Sequence, residues 1–172
     1  MMVAVRHPEL VRALVLADAA PSEGGHGQQA AQAIGDALRN WPVPFPSQQA
    51  GAEFFRARFG DGAALPWADG LEECADGWRP RFDIEVMTRT LAAMQEPSSW
   101  TDWEAITCPV LVVRAERGII DPQAVSEMAS RLPAAQVIEL PDARHDLHLD
   151  RPQAWRDALT TFLDSSDRGL RS

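Results

Sequence analysis

Lysine and tyrosine are absent from this 172-residue sequence, and cysteine is limited to Cys74 and Cys108. All sixteen basic residues are arginine and face twenty-five acidic ones, for a formal charge of −9. Without a basic excess there is no patch for a phosphate backbone, which argues against nucleic acid as a partner. The skewed usage fits a GC-rich coding sequence and assigns no chemistry. Two cysteines far apart make neither a C-x-x-C motif nor a disulfide framework, so both are expected as free thiols in a reducing compartment. The opening "MMVAVRHPEL" has an arginine and a histidine within seven residues and no apolar core, unlike a signal peptide. No stretch approaches the ~20 apolar residues of a membrane span. The expectation is a cytoplasmic chain that engages no membrane.

What is present is enough for a real core: 45% of residues are hydrophobic, and the length suits one domain. "MVAVRHPELVRALVLADAAP" reads as a helix end, a turn at His7-Pro8, and an apolar run from Ala13 to Ala17. Such a run between polar residues predicts a strand covered on both faces, as in a parallel sheet. "CPVLVVRAERG" places Val110 to Val113 in a second buried strand, and "AAQVIELPD" places Gln136 to Leu140 in a third. Helices follow these later strands. In "DPQAVSEMASRLP", Asp121 is an N-cap with Pro122 at the first helical position, and Val125, Met128, Ala129 and Leu132 share a face. "DRPQAWRDALTTFLD" spaces Trp155, Ala158, Leu159, Phe162 and Leu163 the same way. The result is an α/β arrangement with right-handed crossovers.

Between the first two strands lie about eighty residues with no clear strand, too long for a loop, which read as a helical insertion. Helical segments ("QQAAQAIGDALRN", "GAEFFRARF", "DIEVMTRTLAAM") alternate there with Gly- and Pro-rich patches ("PSEGGHG", "WPVPFPS", "GDGAALPWADG"). Five of the six tryptophans fall in this region, and core packing is the first account of them. The tail "SSDRGLRS" reads as frayed.

"RHPELVRALVLADAAP", "ITCPVLVVRAERG" and "VIELPDARHDLHLDRPQAWRDALTTFL", in that order around a helical insertion, resemble the C-terminal half of an α/β-hydrolase with its cap. The resemblance covers nearly the whole chain. It implies an α/β fold that retains about three parallel strands of the hydrolase sheet. By it, residues 1–21 are the helix end and first strand, 22–105 the cap, 106–164 the strand-helix-strand-helix end of the core, and 165–172 a disordered tail. The family is implied to use a Ser-His-acid triad and no cofactor, with the nucleophile in a G-x-S-x-G elbow about ten to fifteen residues before the "HPELV" turn. That elbow would fall before Met1. The sequence has no G-x-S-x-G, and its first serine, Ser22, follows the first strand. A truncated product, a late start codon or one piece of a split gene is therefore expected, inactive by itself.

The resemblance implies a general base within "LPDARHDLHLDRP", which is similar to the family's "PGAGHxxHLExP", and His145 matches its histidine. An imidazole titrates near working pH and can take a serine proton and return it, if a carboxylate holds its other nitrogen. His148 is read as a packing or capping residue, Asp150 as the N-cap of the last helix, and Asp142 and Asp146 as solvated turn residues. The usual seat of the acid, in a pattern like "G-E-R-D", is occupied by Gly118. Asp18, at the carboxyl end of the first strand, and Asp121, which also reads as a helix cap, are the two candidate acids. Asp18 is placed just ahead because the usual seat is empty, and Glu116 is third. A metal site on His145 and His148 lacks the i, i+4 helical geometry and the further ligand it would need, so no metal is expected. The complete enzyme would hydrolyse a small apolar substrate, an ester first. The alternative is a non-catalytic module that associates with itself or a partner through the open edge of its first strand.

Overall fold

The computed structural model describes residues 1–95 and 97–169. In chain order the first elements are α1 (Met2–Arg6), a 3-10 turn (Pro8–Leu10), β1 (Leu14–Ala17), α2 (Gly27–Arg39), α3 (Gln48–Phe59) and α4 (Asp61–Asp69). A hairpin follows, β2 (Leu71–Cys74) and β3 (Gly77–Pro80), and then α5 (Ile84–Gln95) and α6 (Trp100–Glu104). The chain continues through β4 (Val110–Arg117), α7 (Pro122–Arg131), β5 (Gln136–Arg144), α8 (Leu147–Asp150) and α9 (Pro152–Gly169). It divides into two compact units, one formed by Met1–Pro21 with the chain from Ser99 onward, the other by Ser22–Ser98.

The first unit is the expected α/β body: a three-stranded parallel sheet in the order β1-β4-β5, flanked by helices. Leu14 to Ala17 lie opposite Val110 to Val113, and Leu111 to Ala115 lie opposite Gln136 to Leu140. Alternation along β4 divides its side chains between two layers, because successive Cβ atoms point to opposite faces. Leu111, Val113 and Ala115 pack with Leu140, Ala143, Leu147 and Phe162. Val110 and Val112 pack with Trp100, Trp103, Ile106 and Met128. Burial on both faces is why β4 reads as an unbroken apolar run.

The buried Trp103 indole is partnered, its Nε1 donating to the Met128 carbonyl at 3.0 Å. Because Trp100 and Trp103 are buried in this layer, the units part at Ser98/Ser99 rather than after residue 105. β4 runs four residues beyond its expected end at Val113, and β5 continues past Pro141 to Arg144 with a register shift between Ala115 and Arg117. The expected frayed tail is corrected as well, since α9 remains helical through Gly169. Ser166 sits one turn beyond Phe162 on the buried stripe, and its hydroxyl donates to the Phe162 carbonyl at 2.9 Å. Residues 170–172 lie outside the described residues.

The second unit holds four helices and, contrary to expectation, two strands. β2 and β3 pair antiparallel across the two-residue turn Ala75-Asp76. Phe45 extends the pair by exchanging backbone hydrogen bonds with Trp78 at 2.8 and 2.9 Å. Gly77 is required there: its φ is +134°, and a Cβ would stand 2.5 Å from the Phe45 carbonyl oxygen. "GDGAALPWADG", expected as a loop, forms α4 despite Pro66, with Ala63, Ala64 and Ala68 buried. Trp41 is the centre of the unit's core. Its ring makes edge contacts with Phe54, Phe55, Phe59, Trp67 and Phe82.

No helix among the described residues is long and apolar enough to cross a membrane. Phe162→Ala should cost about 3–5 kcal/mol, because it opens a cavity where α9 covers the sheet, and urea denaturation followed by circular dichroism would measure the loss.

Candidate functional site

The chemistry-bearing residues of the first unit lie where its three parallel strands end, the region in which α/β sheets gather their sites. Asp18 is the first residue beyond β1, and its amide continues the ladder by donating to the Val113 carbonyl at 2.8 Å. Its φ is +45°, a left-handed conformation in which aspartate is tolerated better than most residues. The side chain is fully buried. A buried carboxylate costs several kcal/mol in lost hydration unless donors surround it, and here three do. Oδ1 accepts from the Ala115 N–H at 3.2 Å, and Oδ2 accepts from the Ile119 N–H at 2.8 Å. Oδ2 also meets His145 Nδ1 at 3.0 Å.

An ionised carboxylate only accepts, so the proton of this last bond belongs to Nδ1. In a neutral imidazole the other nitrogen, Nε2, is then an unprotonated acceptor. The ring is 54% exposed, and among the described residues Nε2 makes no hydrogen bond. A half-exposed imidazole with one nitrogen fixed by a buried carboxylate and the other free can accept a proton at Nε2.

Gly118 explains why the carboxylate can sit there. A Cβ on residue 118 would lie 2.2 to 2.5 Å from the Oδ2, Oδ1 and Cγ atoms of Asp18. A side chain at 118 and the Asp18 carboxylate therefore compete for one volume. The loop around it is pinned from both sides, because Arg114 Nε donates to the Ile120 carbonyl at 3.2 Å while the Ile119 N–H is held by Asp18.

Asp121, the other candidate acid, stays apart from His145. It is the N-cap of α7, accepting the Gln123 N–H at 2.7 Å. Glu116 is also engaged elsewhere, since its Oε2 accepts the Asp142 N–H at 2.7 Å. His148 is exposed on α8. Two readings of the surrounding loop need correction. Asp142 is solvent-exposed as expected but lies within β5 rather than in a turn, with φ +60° and its carboxylate paired with Arg117. Asp150 does not act as the expected cap of α9; it ends α8, and its Oδ2 accepts the Arg144 N–H at 2.8 Å. Arg114 and Ile119 thus serve the site without a signal in the sequence, Glu116 and Asp150 serve it in roles other than those expected, and Gly118 was a visible clue.

The family model described as the alpha/beta hydrolase family matches residues 2–158. The chain belongs to that family. No curated protein matches it, but solved structures do. One is E-2-(acetamidomethylene)succinate hydrolase, at 25% identity and a TM-score of 0.80, over 94% of this chain and 60% of that one. An esterase of M. tuberculosis matches at 21% identity and TM-score 0.67, over 94% and 57% respectively. An alpha/beta hydrolase from Novosphingobium aromaticivorans matches at 22% and 0.69, over 95% and 60%. The chain thus spans about 60% of the length of the hydrolase structures it resembles.

Competition for the 118 seat gives a direct test. Gly118→Ala should destabilise the parent by about 1–3 kcal/mol through overpacking. In an Asp18→Gly background the same substitution should cost much less, and a double-mutant cycle on urea midpoints measures the difference.

Proposed function

We propose that this chain supplies the general base, His145, and its orienting acid, Asp18, of a cofactor-independent ester hydrolase whose serine nucleophile lies outside these 172 residues. The observation that carries the reading is the 3.0 Å contact between His145 Nδ1 and the buried Asp18 carboxylate, with Nε2 left free. A serine hydroxyl placed against Nε2 loses its proton to that nitrogen as Oγ bonds the ester carbonyl carbon. The resulting imidazolium, stabilised by Asp18, returns the proton to the departing alkoxide. Water then repeats the cycle on the acyl-serine, its proton passing to His145 and on to the serine, and a carboxylic acid is released. Asp18 holds the tautomer and offsets the transient positive charge.

Small apolar esters suit the family's reaction and the net-acidic chain. The printed name of one matched structure, an esterase, is consistent with this class, while that of another, a hydrolase of an acetamido-substituted succinate, supports hydrolysis only in general. In this reading the Ser22–Ser98 unit corresponds to the family's cap, and an aromatic core stabilises it. The chain alone contains no elbow and is expected to be inactive.

β1 has one sheet neighbour among the described residues, which is what a binding module using its free edge would also show. Such a module would have no need of a buried acid, a glycine fitted to it and a half-exposed histidine, so catalysis is the stronger reading.

The test is activity on p-nitrophenyl butyrate, for this chain and for the chain extended through the in-frame codons upstream of Met1. The extension should encode G-x-S-x-G and restore turnover. In it, His145→Ala and Asp18→Asn should each lower kcat by roughly 10³-fold or more, while Asp121→Asn should stay within about twofold of the parent. Undiminished turnover in His145→Ala, or an Asp121→Asn loss as large as that of Asp18→Asn, would overturn the assignment. A dimer that forms through β1 with no elbow upstream would favour the module.

A further inference from the structure

The segment that delivers His145 is held by two carboxylates from elsewhere in the chain. Glu116, on β4, accepts the Asp142 N–H at 2.7 Å, and Asp150, at the end of α8, accepts the Arg144 N–H at 2.8 Å. These two amides straddle Ala143, which is fully buried. Both bonds are charge-assisted, hence stronger than neutral ones. The Arg144 amide is the main-chain donor immediately before His145, and Asp150 lies only five residues beyond the histidine. Its carboxylate therefore closes the turn 144–150 on itself and limits how far the His145 Cα can move relative to β5.

We infer that Asp150 is a positioning residue for His145: it fixes the backbone from which the imidazole reaches Asp18. The inference rests on the reading of His145 as the base. Asp18 sets the orientation of the ring and Asp150 sets its point of attachment, so both are needed to keep Nδ1 and Oδ2 at 3.0 Å. Without the Asp150 contact the turn samples other geometries. The Nδ1–H to Oδ2 bond is then formed only part of the time, and Nε2 takes up the proton in the remainder.

The tautomer is readable in this chain without any turnover. Long-range ¹H–¹⁵N correlation at neutral pH separates His145 from His7, His26 and His148, which serve as internal references. In Asp150→Ala, the Nδ1–H fraction at His145 should fall at least about twofold, and exchange of the Arg144 amide should quicken at least ~10-fold. Asp150→Asn keeps an acceptor oxygen at the same place and should restore both. Asp157→Ala removes a different helix carboxylate, the partner of the Gln153 amide, and should change neither. If the alanine variant does not fold, Asp150→Ser, too short to span the turn, replaces it.

A folded Asp150→Ala chain with the parent's tautomer ratio would overturn the inference and leave Asp150 as a loop staple. Asp18→Asn in the same experiment separates the two levels. Its ratio should move whatever Asp150 does, and a parent-like Asp18→Asn spectrum would remove the base-acid reading itself, and this inference with it.

Discussion

The buried carboxylate of Asp18 is the constraint on which the rest of the site depends. It joins the ends of three strands through partners 97, 101 and 127 positions away in sequence. None of those bonds can form until β1 lies beside β4 and β5 beside β4, so the site is a product of the finished sheet and not of any local motif. The dependence also runs the other way. A buried anion that loses a donor becomes an uncompensated charge, typically costing about 3–5 kcal/mol, so the sheet ends are held to the geometry that satisfies it. The left-handed backbone at Asp18 is tolerated for the same reason: it turns the chain off β1 at the point where the carboxylate can reach the β4 exit.

Parallel topology makes the acid's location interchangeable in a specific sense. Adjacent parallel strands end side by side, so a carboxylate leaving either β1 or β4 can arrive at the same place beside the histidine after β5. The volume admits only one of them. Gly118 on the β4 exit and Asp18 on the β1 exit are two halves of one choice, since any side chain at 118 would occupy the space of the Asp18 carboxylate. An aspartate missing from a familiar position is then no sign of a lost function when the neighbouring strand end carries one and the vacated position is glycine.

Where periodicity or capping carried the signal, the sequence was readable. β4 is buried on both faces and gives a continuous apolar run; α7 announces itself through Asp121 and Pro122; the stripe of α9 is visible from Trp155 to Phe162. Elements held by tertiary contacts were not readable. β2 carries exposed Glu72 and Glu73, so it has no apolar pattern, and it exists because β3 and Phe45 complete its pairing. α4 contains glycine and proline, and three buried alanines let it pack closely enough to override their propensities. The pair of candidate acids could not be ranked firmly because both aspartates stand at element ends. Only the long-range geometry separates a cap, which bonds two residues ahead, from a carboxylate that bonds across three strands. Asp150 misled for the same reason: a local rule assigned it to the next helix, whereas its partner lies six residues behind it.

On the proposed reading, the Asp18–His145 pair limits where a nucleophile would have to stand. Both oxygens of Asp18 accept hydrogen bonds and Nδ1 of His145 is committed to Oδ2, so the Nε2 lone pair is the imidazole's available acceptor. A nucleophile must bring its proton within about 2.6–3.2 Å of that atom. It must also approach from ground that β4 and β5 do not already fill, because β4 is enclosed by β1 on one side and β5 on the other. β1 and β5 are both edge strands among the described residues; the proposed reading places the further strand at β1, where one added in parallel would end beside Asp18. On the same reading, a loop leaving such a strand carries the hydroxyl that meets Nε2. On that reading, a backbone edge that is a liability in an isolated sheet serves instead as the seat of a neighbouring strand.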